Sequence, residues 1–149
     1  MGLAVRQNEA ARLWADTPPH CHNGTVITGI EHSAIAAADV AALADWYSTV
    51  LGFAIVYQSP NAIFVRAANG AMIEIIRAEG DRTPHTMKSP GHRHLAISVS
   101  DFDSVYADLK AKGVQFTGET QESKGNKVVF FTDPEGNYLH LLERAKPLV

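Results

Sequence analysis

The feature that most constrains this chain is an internal repeat. The stretch 29–39 recurs at 91–101 with Gly, His, Ala, Ile and Asp at equivalent positions, and each copy is followed by a helical pattern that ends at a glycine. A second matching pair, 70–76 and 136–142, lies further along each half. Within 149 residues, such a repeat predicts two half-modules that share one core.

The first half has the pattern of one strand, one helix and three further strands. Alternation predicts a strand over 27–36, after which Asp39 caps a helix that Gly52 ends. The remaining strands of this half are predicted over 53–58, 62–66 and 71–77.

The second half repeats this order. A strand is predicted over 94–99 and a helix over 102–112. Further strands are predicted over 114–117, 127–132 and 138–142. The predicted fold class is therefore α+β, with two βαβββ modules related by pseudo-twofold symmetry.

One domain is expected after an N-terminal arm. The arm covers 1–28, and the single domain covers 29–149 with its modules at 29–78 and 91–145. A polar loop with glycine and prolines joins the two modules and could fold over a site. The arm contains His20, Cys21 and His22, but three adjacent residues rarely converge on one metal ion.

Composition narrows the classes of partner and compartment. A net charge of −3 with interspersed signs provides no basic surface, which argues against nucleic acid. Cys21 is the single cysteine, so no intrachain disulfide can form, and a reducing compartment such as the cytoplasm is expected. Residues 1–16 contain no apolar run suited to secretion or to a membrane span, so we expect no membrane association.

Four polar residues occupy the repeated positions and are the candidate metal ligands. His32 is equivalent to His94, and Glu74 is equivalent to His140, so pseudo-twofold symmetry would bring all four together between the modules. Burying an unpaired carboxylate in an apolar strand is costly, and metal coordination offsets that cost. Taken singly, each histidine could be a satisfied core residue and Glu74 could face solvent. Three imidazoles and one carboxylate fit one divalent zinc, nickel, cobalt or iron ion better than calcium or magnesium.

These motifs resemble the vicinal oxygen chelate superfamily, which includes glyoxalases, extradiol dioxygenases, epimerases, fosfomycin-resistance enzymes and metal-free bleomycin-resistance proteins. The resemblance covers 29–145 and is carried by the patterns at 29–32, 94–99 and 133–141. It implies paired βαβββ modules whose mixed sheets curl into a cup around one divalent ion. It also implies a homodimer.

The resemblance also assigns the ligand positions. It places the family's first-strand His on His32, its first-module carboxylate on Glu74 and its second-module His on His94. His140 departs from the pattern, because bacterial glyoxalases and extradiol dioxygenases usually have Glu there. Glu74 is then the one carboxylate of the set and the expected catalytic base.

Three functional hypotheses are consistent with this set of candidate ligands. The leading hypothesis is a metal-dependent glyoxalase-like isomerase, epimerase or lyase that abstracts a proton next to a metal-chelated carbonyl of a small molecule. One alternative is an Fe(II)-dependent extradiol-type dioxygenase. The other is a metal-free small-molecule binding or resistance protein.

Several further residues have two interpretations each. His92 shares strand parity with His94 and could support it. Phe64 and Phe130 are repeat equivalents, for which core packing is a sufficient explanation. Either contact with an anionic substrate in the cup or a solvated strand end would explain the remaining polar candidates, which are Arg66, Arg77, Tyr57, Asn126 and Lys127.

Overall fold

The computed structural model describes residues 29–148, which contain two successive modules of the predicted type. The first module consists of β1 (His32–Ala37), α1 (Val40–Thr49), β2 (Ala54–Gln58), β3 (Ala62–Arg66) and β4 (Met72–Arg77). The second consists of β5 (His94–Ser98), α2 (Phe102–Ala111), β6 (Gln121–Ser123), β7 (Asn126–Thr132) and β8 (Tyr138–Glu143). The predicted α+β class with two βαβββ modules is confirmed.

Each module forms its own four-stranded mixed sheet. The strand orders are β1-β4-β3-β2 and β5-β8-β7-β6, and the first and last strands of each module pair in parallel. The first strand therefore lies at a sheet edge beside the fourth. This pairing puts the two repeated polar positions of a module on neighbouring strands.

The helices begin and end where the sequence predicts. The side chain of Asp39 accepts a hydrogen bond from the backbone N of Ala42 at 2.9 Å, as an N-cap does. After α1, Gly52 has a φ of +73°, and the backbone N of Phe53 donates to the oxygen of Tyr47 at 3.1 Å. The glycine is required because this left-handed conformation strains residues with a side chain.

One strand of the second module is displaced from its predicted place. The prediction of a strand over 114–117 is wrong, since Phe116 makes only an isolated bridge to Phe131. The strand is β6 instead, and it reaches β7 through a two-residue turn at Lys124 and Gly125, with φ values of 51° and 77°. Positive φ at both positions suits the twist of a tight hairpin, so the turn decides the register.

The predicted start of the first strand also differs. β1 begins at His32 rather than at 27. Positions 27 and 28, the rest of the arm and the His20, Cys21 and His22 stretch lie outside the described residues. Residues 32–148 belong to one compact unit.

Both modules contribute to a single hydrophobic core. Fully buried side chains include Tyr47 and Ile75 from the first module and Phe131 and Leu141 from the second. Ile75, Phe131 and Leu141 lie on strands, whereas Tyr47 lies in α1. Residues of the opposite parity in β1, such as His32 and Ala34, are exposed. Each module therefore keeps one sheet face outside the core.

The turn between β7 and β8 links the two modules through polar contacts. Glu135 Oε1 accepts hydrogen bonds from the backbone N of Ala38 at 2.9 Å and of Asp39 at 3.2 Å, at the start of α1. Asp133 is only 3% exposed and accepts a hydrogen bond from the hydroxyl of Tyr47 at 3.2 Å. A carboxylate near a helix N-terminus is electrostatically favourable, so the turn stabilises α1 from the other module. Within residues 29–148, no helix is long and apolar enough to cross a membrane.

Candidate metal centre

The first predicted pair, His32 and Glu74, is brought together by β1 and β4. Ala34 is the register partner of Glu74, and His32 lies two residues earlier on the same face. His32 Nε2 is 3.3 Å from Glu74 Oε2, and the two side chains are 34% and 25% exposed. The two potential metal-ligating side chains are therefore adjacent and accessible from the open face of the sheet.

The second predicted pair, His94 and His140, occupies the equivalent place in the other module. Ala96 is the register partner of His140, again two residues along from the histidine of the edge strand. The two imidazole rings have centroids 4.7 Å apart and an interplanar angle of 37°. The repeat predicted from the sequence thus appears as two equivalent pairs.

The ring of His140 is buried without an internal hydrogen-bond partner. Both of its ring nitrogens are buried and neither has a hydrogen-bond partner. Burial lowers its pKa below 6.5, and the neighbouring His94 and Arg144 lower it further. A buried donor or acceptor without a partner costs about 1–3 kcal/mol, and a ligating imidazole must be neutral. Both observations fit a site that an ion completes.

An aromatic ring flanks each pair. The Phe64 ring meets His32 edge-on, with centroids 5.3 Å apart at 77°. Phe130 does the same to His140, at 4.9 Å and 82°. The interpretation of both rings as core packing is wrong, because neither belongs to the buried core. Phe64 and Phe130 are the cross-strand partners of Glu74 and His140, so they share the site faces.

Within one chain, the two pairs do not form a single coordination sphere. Among residues 29–148, no three His, Cys, Asp or Glu side chains are grouped so that they could hold one ion. Each pair belongs to its own sheet. Coordination by all four residues stays a prediction, and it requires a geometry beyond that of the single chain.

Two of the remaining polar candidates hold the fold together. Lys127 Nζ forms an ion pair with Asp103 at 2.7 Å. Asn126 Oδ1 accepts a hydrogen bond from the backbone N of Ala145 at 3.1 Å. These contacts occupy the two side chains and fix the start of β7.

The other candidates lie near a site or in solvent. Tyr57 is 58% exposed, and its ring lies 5.8 Å from that of Phe64. His92 Nε2 donates to the backbone oxygen of His94 at 3.1 Å. This bond supports the backbone of β5 and does not orient the imidazole ring of His94. Arg66 and Arg77 are exposed.

Comparison with known proteins identifies the family of this chain. The family model of the Glyoxalase/Bleomycin resistance protein/Dioxygenase superfamily matches residues 29–141. The chain belongs to this superfamily. The resemblance inferred from the motifs is therefore confirmed.

Several named proteins are similar to this chain in sequence or in structure. The chain is 32% identical to Escherichia coli (strain K12) protein YaeR over 123 residues, which are 77% of this chain and 95% of that protein. It is 25% identical to the metallothiol transferase FosB of Staphylococcus haemolyticus (strain JCSC1435) over 119 residues, covering 78% and 84%. The solved structure of the oxidase ChaP-H2 matches with a TM-score of 0.65 at 27% identity, covering 78% of this chain and 94% of that one.

Proposed function

We propose that this superfamily member is a metal-dependent glyoxalase-like isomerase, epimerase or lyase that removes a proton next to a carbonyl of a small molecule. The observation that carries the proposal is His140, whose buried ring nitrogens have no partner, beside His94. The equivalent pair in the first module supplies a carboxylate 3.3 Å from a histidine. A buried polar group without a hydrogen-bond partner needs an explanation, and a bound ion is one.

His32, Glu74, His94 and His140 would hold one divalent ion of zinc, nickel, cobalt or iron. The bound ion would polarise substrate oxygens and make the neighbouring C–H more acidic. Glu74 is the one carboxylate of the set, and its side chain remains 25% exposed. Its proposed role is to accept the proton, while the three imidazoles would serve as neutral ligands. Phe64 and Phe130 place an apolar ring edge-on beside each pair.

We further propose that a homodimer completes the site. The His32–Glu74 pair of one chain would face the His94–His140 pair of a second copy, enclosing a cup that one chain does not close. In support, the site face of β1 is exposed, and β2 exposes Ile55 at 41%, Val56 at 40% and Tyr57 at 58%. Apolar surface left open in this way is typical of an interaction surface.

Subunit complementation tests the shared site. We expect the His32→Ala and His140→Ala variants to be inactive alone and to regain about a quarter of wild-type activity when mixed after exchange, since half of the dimers then carry one intact site. Activity and dimer exchange would be measured in the same sample. A mixture that exchanges subunits but stays inactive would show that each site lies within one chain.

The role of His140 can be tested through metal content. We expect His140→Leu to weaken metal binding by at least about a hundredfold, more than the loss of a residue that only orients a ligand. In metal-free protein the same change should raise the free energy of unfolding by about 1 kcal/mol, because two unsatisfied buried nitrogens are removed.

His92→Leu is the matched control, because it removes an exposed imidazole two residues from His94. It should leave metal content unchanged. Elemental analysis and urea denaturation with and without chelator would provide the measurements. Full metal occupancy in His140→Leu would reduce His140 to a packing residue.

A second candidate is an Fe(II)-dependent extradiol-type dioxygenase. The similarity to a structure named an oxidase favours it, and Glu74 with two of the histidines could form a two-His-one-carboxylate face. Iron-dependent turnover of a catechol in air, absent without oxygen, would select this reaction. A metal-free binding or resistance protein is the third candidate, and isolation without metal but with retained ligand binding would select it.

One panel distinguishes the reaction classes. It combines elemental analysis of the purified protein with assays on hemithioacetals, α-hydroxycarbonyl thioesters and catechols. A thiol-transfer assay is included because of the similarity to a metallothiol transferase. Turnover of the first two classes with a bound divalent ion supports the proposed lyase or isomerase activity.

A further inference from the structure

We propose that a cavity walled by the inter-module loop binds an oxyanion of the substrate, that is, a phosphate, phosphonate or carboxylate group. The cavity has a volume of about 440 Å³. Its arginine and histidine lining consists of Arg82, Arg93, His85 and His92, and the lining contains no Asp or Glu. Its use for substrate rests on the proposed function, while its affinity for an oxyanion does not.

The two arginines are held in place without being neutralised. Arg82 Nη2 donates to Asn137 Oδ1 at 2.9 Å, and Arg93 Nε donates to the backbone oxygen of Gly91 at 3.3 Å. Both acceptors are neutral, and neither arginine makes an ion pair with a carboxylate of residues 29–148. Each guanidinium has five N–H donors in a planar fork, so most remain available for oxygen atoms.

Acidic side chains lie near the two arginines in a neighbouring cavity. Both arginines also line a cavity of about 580 Å³ that includes Glu79, Asp81 and Glu135. The carboxylate of Glu135 already accepts hydrogen bonds from the start of α1. Glu79 and Asp81 form no ion pair with either arginine within the described part of the chain. These acids therefore do not occupy the guanidinium N–H donors of either arginine.

Gly91 leaves room for the side chain of Arg93. It has a φ of +104°, and a Cβ placed there would lie 3.1 Å from Arg93 Nη2. The backbone conformation is strained for any residue with a side chain, and the contact is tighter than ordinary packing. Glycine thus allows the guanidinium to fold back over the chain towards the cavity.

The cavity adjoins the His94–His140 pair. Tyr138 lines the cavity, is the register partner of His94, and lies on the same face of β8 as His140. The ring of His85 packs edge-on against Tyr138, with centroids 5.6 Å apart at 89°. A small molecule with its oxyanion in the cavity could extend its other end over the two histidines. The expected substrate class is therefore a small carbonyl compound that carries an oxyanion.

Titration with inorganic phosphate tests the site directly. Full-length protein, labelled with ¹⁵N and free of metal, is titrated with phosphate against chloride at constant ionic strength. We expect saturable binding, with amide shifts concentrated over 82–93 and at Asn137 and Tyr138. Arg82→Gln and Arg93→Gln should each weaken binding by about tenfold, as expected when a charged hydrogen bond is lost. Acetate in place of phosphate shows whether a carboxylate is also accepted.

Arg77→Gln is the matched control, because it removes an exposed guanidinium from a strand end outside the cavity. It should bind phosphate like the wild type. If Arg82→Gln unfolds through loss of its bond to Asn137, Arg93→Gln carries the test, since its bond is to the neighbouring loop backbone. Non-saturable binding, or equal weakening by the control, overturns the proposal.

His140→Leu separates this inference from the proposed function. It should lose metal and keep phosphate binding. Phosphate binding that disappears with His140 would place the anion at the histidine pair and overturn the loop site. Absence of phosphate binding in a wild-type protein that still takes up metal would overturn the loop site alone.

Discussion

Glu74→Gln is expected to keep the metal and to lose about two to four orders of magnitude in turnover, the range typical of a general base. Gln keeps the shape of the side chain and one oxygen acceptor, but it cannot take a proton at neutral pH. The neighbouring His32, 3.3 Å away, keeps a polar partner in the variant. The variant therefore separates the role of Glu74 as a base from its role as a metal ligand, because only one of its two carboxylate oxygens is replaced.

The measurements are turnover of the panel substrate that the wild type converts, and metal content of the same sample. Glu122→Gln is the control, because Glu122 is an exposed carboxylate on β6. It should leave both quantities unchanged. Near-normal turnover in Glu74→Gln with metal bound would contradict the assignment and point to a base outside the four ligands.

Asp133→Ala is expected to lower the free energy of unfolding by about 3 kcal/mol or more, because several buried donors lose their acceptor together. Asp133 accepts hydrogen bonds from the Tyr47 hydroxyl at 3.2 Å and from Asn137 Nδ2 at 2.7 Å. Its other oxygen accepts from the backbone N of Glu135 at 3.0 Å and of Asn137 at 2.9 Å. The turn and α1 belong to different modules, so the loss affects their junction.

Tyr47→Phe is the matched comparison. It removes one of these donors and keeps the ring in the core, so the expected loss is about 1 kcal/mol. Urea denaturation of both variants gives the two values. Equal small losses would show that the carboxylate is replaceable by water and does not organise the junction.

The pH dependence has a defined sign. Burial raises the pKa of Asp133, and hydrogen bonds from Asn137, Tyr47 and Glu135 offset only part of the rise. A carboxyl group with a raised folded-state pKa contributes most stability below its ordinary pKa of 3.8, and that contribution falls as the pH rises through the folded-state pKa. As the pH rises from 3.8 to the folded-state pKa, the free energy of unfolding of the wild type should therefore fall relative to that of Asp133→Asn.

Much of the fold follows from signals that are local in the chain. Asp39 and Gly52 delimit α1 because capping and left-handed conformations depend on a few adjacent residues. The repeat placed His32 and His94 on equivalent strands, and it placed Glu74 and His140 likewise. Family membership followed from the same positions.

The tertiary structure decided what depends on contacts between distant segments. In the sequence, core packing is a sufficient explanation for Phe64, but its register with Glu74 puts it on the site face. The tight turn after β6 overrode the apolar pattern around Phe116. Asp133 lies in the turn between β7 and β8, yet its partner Tyr47 lies in the other module. Local pattern determines which residues alternate along a strand, whereas strand pairing determines what each face meets.

The arrangement of the candidate ligands shows the same division. The sequence alone determined which four residues are repeated and that each module carries two of them. Only the tertiary structure showed that they stand as two pairs, one per sheet, without meeting in a single chain. The separation of the two pairs depends on how the modules pack against each other. That packing depends in turn on a core to which both halves contribute. No periodicity within either half encodes it.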